Sequence, residues 1–240
     1  MLEIVRRYGP IRIYQKWFYE KPAIQDRYSF TVYKQASSLI PHKGFIRKDF
    51  YTLHIHLDTK TIDELFKDFS KTNQTKIKKA LKEEMFFSSS LDFFSFVDFF
   101  NTFARFKKLP PLSVKGLFFY GENILFTFIT DKEGPIASHA YIMDREELLV
   151  RLLYSATRVR NSNDADYISR SNRRLHWHDI CYFKERGFKI YDFGGLALKP
   201  GNKETEGIDF FKQSFGGEIV HQSHYESIPA FVLKKLFRKD

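Results

Sequence analysis

The chain has 240 residues, 43% of them apolar and 18% aromatic, with 27 Phe and a formal net charge of +10. That apolar share excludes a disordered, highly charged chain and predicts a true core, in one large domain or two compact halves. No apolar run approaches the roughly 18 residues of a membrane-spanning helix, and the start, Met1-Leu2-Glu3-Ile4-Val5-Arg6-Arg7, lacks a signal-peptide pattern, so a cytoplasmic location is expected.

The single cysteine, Cys181, excludes an internal disulfide and any multi-cysteine metal site. None of the eight His falls in a His-x-x-x-His or His-Glu-x-x-His spacing. His176 and His178 point in different directions on a helix and read as partly exposed surface residues, so no metal is expected. The positive charge favours anionic partners such as nucleic acid, acidic phospholipid, nucleotide-bearing cofactors or phosphorylated sugars. Charge does not choose among them, and a solvated basic surface would give the same total.

Residues 11 to 57 read as strands and turns, with β-formers at Ile11 to Tyr14 and Phe30 to Tyr33 and alternation from Tyr51 to Leu57. A helix then opens at Asp58 or Thr59, with Ile62, Leu65, Phe66 and Phe69 at i, i+3, i+4 and i+7. After Thr72-Asn73 a strongly basic helical stretch carries Ile77, Ala80 and Leu81. A boundary is expected here, between a partial α/β subdomain (1–83) and a larger unit (84–240). The second unit opens with a short strand, Met85 to Ser89. A Phe-rich helix from Leu91 to Lys108 follows, stopped by Pro110-Pro111. Three strands come next: Ile124 to Thr130, Pro135 to Met143 and Glu147 to Ala156, joined by turn-forming residues. A glycine-free loop, Arg158 to Asp166, leads to a helix from Ser169 to Arg186. The strand Phe188 to Phe193 runs into Gly194-Gly195. A helix from Gly207 to Phe215 and a strand from Ile219 to Ser227 complete a mixed α/β sheet covered by helices.

Two stretches carry a resemblance. Tyr191-Asp192-Phe193-Gly194-Gly195 closes a strand, and Gly207 to Gly217 reads Gly-Ile-x-x-Phe-Lys-x-x-Phe-Gly-Gly. Together with Ser169 to Ile180 they resemble the C-terminal signature of the Fem-type peptidyltransferases and polysaccharide-cluster acyltransferases, within the Gcn5-related N-acyltransferase superfamily. The basic stretch Asn73-Gln74-Thr75-Lys76-Ile77-Lys78-Lys79-Ala80 looks like the Lys/Arg-rich helix of that group. The resemblance covers roughly residues 55 to 225.

It implies the Gcn5-related fold, with the N-terminal part as an abbreviated second copy. It also implies transfer of an acyl or aminoacyl group to an amine of a cell-envelope precursor, either an amino sugar or a peptidoglycan peptide. The donor is acyl-CoA or aminoacyl-tRNA. Acetyl-CoA enzymes of this fold carry a glycine-rich pyrophosphate loop before the helix at Ser169, where this chain has no glycine. That departure and the basic charge favour tRNA, whereas the small size and the lack of a helical arm favour CoA.

Such a transfer must remove a proton from the acceptor ammonium, stabilise an oxyanion and protonate the leaving group. Deprotonating an amine of pKa about 10 at pH 7 costs roughly 4 kcal/mol, and one oxyanion donor is worth about 3 to 4 kcal/mol. Arg170 and Asn172, expected in the first turn of their helix and flanked by Arg173 and Arg174, are the phosphate-binding candidates. Asp192 can take or orient the amine proton, or it can simply hold the turn that follows it. Lys212 matches the lysine of the family motif and can act as a point charge on an oxyanion or phosphate. His139, mid-strand, is either a base or a satisfied core residue. Tyr154 and Ser155 lie where this fold lets a strand splay to admit the acyl chain. Trp177, Ile180 and Cys181 share a helix face and read as core.

The segment 231–239 is basic and amphipathic. It is a membrane contact, at the inner face where lipid-linked precursors lie, a helix docked on its own domain, or a frayed tail. The competing reading is a non-catalytic nucleic-acid-binding or scaffold module on the same fold.

Overall fold

The computed structural model describes residues 1–159, 164–198, 201 and 203–237. In chain order the first elements are β1 (Leu2–Tyr8), β2 (Ile11–Trp17), β3 (Phe30–Ala36) and β4 (Phe45–His56). Then come α1 (Ile62–Asp68), α2 (Lys71–Ala80), β5 (Phe86–Ser90), α3 (Phe93–Lys107) and α4 (Val114–Phe118). The meander is β6 (Ile124–Asp131), β7 (Gly134–Asp144) and β8 (Leu149–Thr157). The chain continues through α5 (Ala165–Glu185), β9 (Ile190–Leu196), α6 (Lys203–Gln213), β10 (Glu218–Ser227) and α7 (Ile228–Phe237). This is the mixed α/β architecture expected, with strand β1 and helix α4 in addition to the predicted elements.

The chain forms two compact units. One comprises Met1–Leu53, Gly195–Glu206 and Ile219–Asp240, the other His54–Gly194 and Gly207–Glu218. The boundary expected at 83/84 falls inside the second of these.

In the first unit β1 and β2 form an antiparallel hairpin through Gly9, whose φ of +58° suits glycine. Strand β2 pairs parallel with β3, and β3 pairs antiparallel with β10. Tyr33, Ala36 and Tyr225 are buried at the centre, with Tyr19 and Phe45 packed on them. Tyr33 donates its hydroxyl to Asp26, and Tyr225 donates to the carbonyls of Ser38 and Ile40. Each buried hydroxyl therefore has a partner, as a dry core requires.

In the second unit β5, β6, β7 and β8 form an antiparallel meander, and α5 crosses over to place β9 parallel to β8. Local signals fix the helix starts. Thr61 and Glu64 form a capping box on α1, Ser70 caps α2 and Asp92 caps α3. The Phe-rich spacing of α3 buries Phe96 and Phe100, and Phe96 stacks on Phe126 at 4.5 Å. Met85, Ile129, Ile136, Ala137, Ile168 and Leu175 form a core beneath α5. Ile180 is buried as expected, while Trp177 and Cys181 are half-buried.

Two helices begin earlier than the sequence suggested. Helix α5 starts at Ala165 rather than Ser169, and α6 at Lys203 rather than Gly207. Arg170 and Asn172 therefore lie in the second turn of α5, beyond its unpaired N–H groups.

Candidate active site

The parallel ladder between β8 and β9 comprises three pairs, Leu149↔Ile190, Val150↔Tyr191 and Arg151↔Asp192. Strand β8 runs on to Thr157, so Tyr154 and Ser155 lie past the last pair, on the diverging part of the strand. There β8 stays paired with β7, Tyr154 opposite Ala140 and Ser155 opposite His139. Leu153 is an extra residue in that register, a bulge that sharpens the local twist. The Tyr154 ring meets Phe100 edge-on at 5.4 Å.

Asp192 sits at the point of divergence, fully buried. Its Oδ1 accepts the Gly194 amide at 2.6 Å, which is the turn-holding role available to any aspartate before a tight turn. Its Oδ2 faces His54 Nε2 at 3.5 Å and Arg151 Nε at 4.0 Å. Among the described residues, His54 Nε2 has no hydrogen-bond partner within normal reach. Gly194 adopts φ +75°, and a Cβ there would lie 3.0 Å from the Leu152 carbonyl oxygen. A side chain at 194 would push β9 away from β8 where Asp192 and Arg151 meet.

Lys212, on α6, is near enough to Arg151 and Asp192 for the charges of both to act on it. Burial lowers its pKa, and the charge of Arg151 lowers it further, to about 8, against the opposing pull of Asp192 and Asp209. The Arg151 guanidinium, with its side chain 13% exposed, is also held below its ordinary range by burial, opposed by Asp192, Tyr120 and Tyr154.

The Gly216-Gly217 pair does more than stop a helix. A Cβ on Gly217 would lie 2.4 Å from the His54 carbonyl oxygen, and one on Gly216 would lie 3.1 Å from Asp68 backbone oxygen. The two glycines let the chain leaving α6 press directly on the backbone at Asp68 and at His54. Asn73 fastens the same end of α6, donating its amide to Ser214 O at 3.0 Å and Ser214 Oγ at 2.8 Å.

The structure thus brings Asp192 and Lys212 together and adds His54 and Arg151, which the sequence reading did not select. Arg151 carries a legible signal, a lone charge inside the apolar run Leu149-Val150-Arg151-Leu152-Leu153. His54 has none, because it is one of several alternating residues in a strand.

The other candidates lie elsewhere in the second unit. Arg170 is gripped by Glu83 and reaches Asp166 at 2.6 Å. Arg173 donates to Asn73 Oδ1 at 2.7 Å and covers the Phe211 ring at 4.9 Å. Arg174 donates to the carbonyls of Ala80, Glu83 and Met85 around the end of α2, where a cation is favoured. These arginines tie α5 to α2. Residues 160–163 of the glycine-free loop lie outside the described residues.

His139 belongs to a buried network. Its Nδ1 lies 2.7 Å from Asp179 Oδ2 and its Nε2 3.0 Å from Asn172 Oδ1. Tyr141 donates to Asp179 Oδ2 at 2.7 Å, the Tyr141 and Tyr191 hydroxyls are 2.6 Å apart, and Tyr191 lies 2.9 Å from His176 Nδ1. His176 is therefore a core residue and not the half-exposed one the sequence suggested. Burial keeps it neutral by lowering its pKa well below the usual histidine value, and the electrostatic effects of His139, Arg173 and Lys212 act in the same direction. The ligand atoms of His139, His176 and Asp179 lie within 4.8 Å of one another, a grouping with the donor types of a metal site. Asp179 Oδ2 receives both His139 and Tyr141, and His176 meets Tyr191; among the described residues Asp179 Oδ1 is buried without a hydrogen-bond partner.

No family model matches the chain, and no curated protein matches it in sequence. Solved structures do match in fold. FemX superposes with a TM-score of 0.67 at 10% identity, over 99% of this chain and 86% of FemX. The C-terminal domain of a putative lysylphosphatidylglycerol synthetase from Agrobacterium fabrum gives 0.59 at 9% identity, over 98% of this chain and 82% of that one. L-PGS from Bacillus licheniformis gives 0.57 at 10% identity, with coverage of 99% and 86%. The chain thus has the fold of FemX and of the lysylphosphatidylglycerol synthetase domain, a mixed α/β sheet covered by helices.

Proposed function

We propose that the protein is an N-acyltransferase that moves an acyl or aminoacyl group onto an amine of a cell-envelope precursor, an amino sugar or a peptidoglycan peptide. The observation that carries this reading is a lysine with a pKa near 8 set against Asp192 and Arg151 where two parallel strands diverge. A lysine of that pKa exchanges a proton near neutral pH, where an ordinary surface lysine stays charged.

In this reading the acceptor ammonium gives its proton to Lys212 or Asp192, and the freed nitrogen attacks the donor carbonyl carbon. Negative charge grows on the carbonyl oxygen, and the Lys212 and Arg151 cations favour it. The attacking nitrogen gives up its second proton as the tetrahedral intermediate expels the donor's thiolate or ribose oxygen, and that leaving group takes up the proton. The product is an amide. Tyr154 and Ser155, on the diverging part of β8, line the path for the acyl chain. The donor is acyl-CoA or an aminoacyl-tRNA, its phosphates drawn by the basic surface; Arg170, Asn172 and Arg173 remain proposals for that contact. The likeness to FemX and to lysylphosphatidylglycerol synthetase supports this reaction class at the level of fold.

The test is transfer of a radiolabelled group from acetyl-CoA and from charged tRNA to amino-sugar nucleotides and to peptidoglycan precursors. Product that disappears with Lys212→Met supports the reading. Tight, salt-sensitive tRNA binding with no product, unaffected by changes at Asp192 and Lys212, would favour the non-catalytic module instead.

A further inference from the structure

Helix α7 packs on β3 through one side and leaves another bare. Ala230 is buried, whereas Ile228, Val232 and Leu236 are 52%, 48% and 76% exposed. Spaced four residues apart, the three form one apolar stripe along the helix. Two neighbouring segments widen it. The Ile228 amide donates to the Gly44 carbonyl at 3.1 Å, and the Tyr225 hydroxyl donates to the Ile40 carbonyl at 2.7 Å. These bonds hold the 40–44 turn beside the start of α7, with Ile40 exposed. The 3-10 turn Ile24–Tyr28 also packs on α7 and exposes Ile24 and Tyr28, the latter 74%.

The charges around these residues are sorted by sign. Lys235 lies over the Phe231 ring at 4.7 Å, Arg27 covers the Tyr28 ring at 4.4 Å, and Lys43 is exposed on the 40–44 turn. The acids of the same segments are engaged within the unit, Asp26 by Lys16 at 2.8 Å and Glu226 by Lys234 at 3.3 Å. Apolar and aromatic side chains ringed by cations suit a surface that is apolar below and anionic above.

We propose that this face of the first unit docks on an anionic lipid bilayer, the stripe Ile228–Val232–Leu236 entering the headgroup boundary and Lys235, Arg27 and Lys43 meeting lipid phosphates. The cations flank the stripe on three segments, α7, the 24–28 turn and the 40–44 turn, while Asp26 and Glu226 are paired within the unit, so the face presents positive charge only around its apolar residues. The docking does not depend on the transferase chemistry and rests on residues of the first unit alone.

The experiment is vesicle flotation of the full chain with phosphatidylcholine alone and with added phosphatidylglycerol, at low and high salt. Binding is expected to require the anionic lipid and to weaken with salt. Lys235→Glu should lower the partition coefficient about fivefold or more, from the loss of one cation near the surface. The double variant Val232→Glu, Leu236→Glu should abolish binding with an unchanged unfolding midpoint, because both side chains are exposed. Equal binding to neutral vesicles, or wild-type binding that survives the double variant, overturns the proposal. A sizing column that shows a dimer in the absence of lipid, lost in the double variant, overturns it in favour of a second copy of this chain.

Discussion

Asp192 divides its carboxylate between two tasks: Oδ1 accepts the Gly194 amide at 2.6 Å, and Oδ2 is left toward His54 at 3.5 Å. The turn consumes one oxygen and fixes the direction of the other. Asp192→Asn keeps an oxygen for the Gly194 amide while removing the negative charge, so the turn should persist and Arg151 should lose its counter-charge. We expect a stability loss of about 3 kcal/mol, of the kind seen when one partner of a buried pair is removed, measured by urea unfolding, with transfer activity lost. Asp192→Ala removes the turn acceptor as well and should cost about 1 kcal/mol more.

Lys212 yields a prediction of opposite sign. Its folded pKa, about 8, is below its ordinary value of 10.5. Between those two values the unfolded chain binds more protons, so stability rises with pH across that window, and below about pH 8 the full cost of burying the ammonium is present. Lys212→Met should abolish transfer yet stabilise the fold at pH 7, by up to about 3 kcal/mol. The gain should vanish above pH 10.5. In the wild type, kcat/KM should climb with pH through a midpoint near 8 and level off above it, and Lys212→Arg should erase that limb.

The glycines of α6 and its exit supply a paired comparison. Gly217→Ala would place a Cβ 2.4 Å from the His54 carbonyl at φ +91°, so the chain must move where it meets the site. We expect a loss of about 3 kcal/mol or more, together with lost activity. Gly207→Ala meets nothing within 4 Å and lies inside helix α6. It should stabilise by about 0.5 to 1 kcal/mol. Thermal unfolding of the two variants side by side separates close packing from mere helix termination.

His176 predicts a pH dependence on the acid side. Burial holds its folded pKa well below the ordinary 6.5. Stability is therefore fully present above 6.5 and falls as the pH drops below it, since the unfolded chain takes up a proton that the folded one refuses. The slope should approach about 1.4 kcal/mol per pH unit from this residue. His176→Gln should flatten the acid limb, checked by unfolding at a series of pH values below 6.5.

The sequence by itself determined the order of elements in the second unit, because α3 announces its buried face through Phe96 and Phe100 and the meander strands are separated by turn residues. The Tyr-Asp-Phe-Gly-Gly and Gly-Ile-x-x-Phe-Lys motifs also singled out Asp192 and Lys212, since glycines beside a charged residue are a local pattern. Strand β1 was not legible, because Leu2 to Tyr8 becomes a strand by pairing with β2 and Val5-Arg6-Arg7 shows no alternation of its own. What only the tertiary structure decided was which of the many charges do which work. The arginines of α5 look like one phosphate site along the chain, yet each finds a different partner across space, at Glu83, at Asn73 and at the carbonyls ending α2. Arg151 and His54 are 97 residues apart in sequence and meet at Asp192 because β9 lies between β8, which carries Arg151, and β4, which carries His54. The pKa of Lys212 likewise has no local cause. It is set by burial and by Arg151, and neither exists until the sheet and α6 close around the lysine.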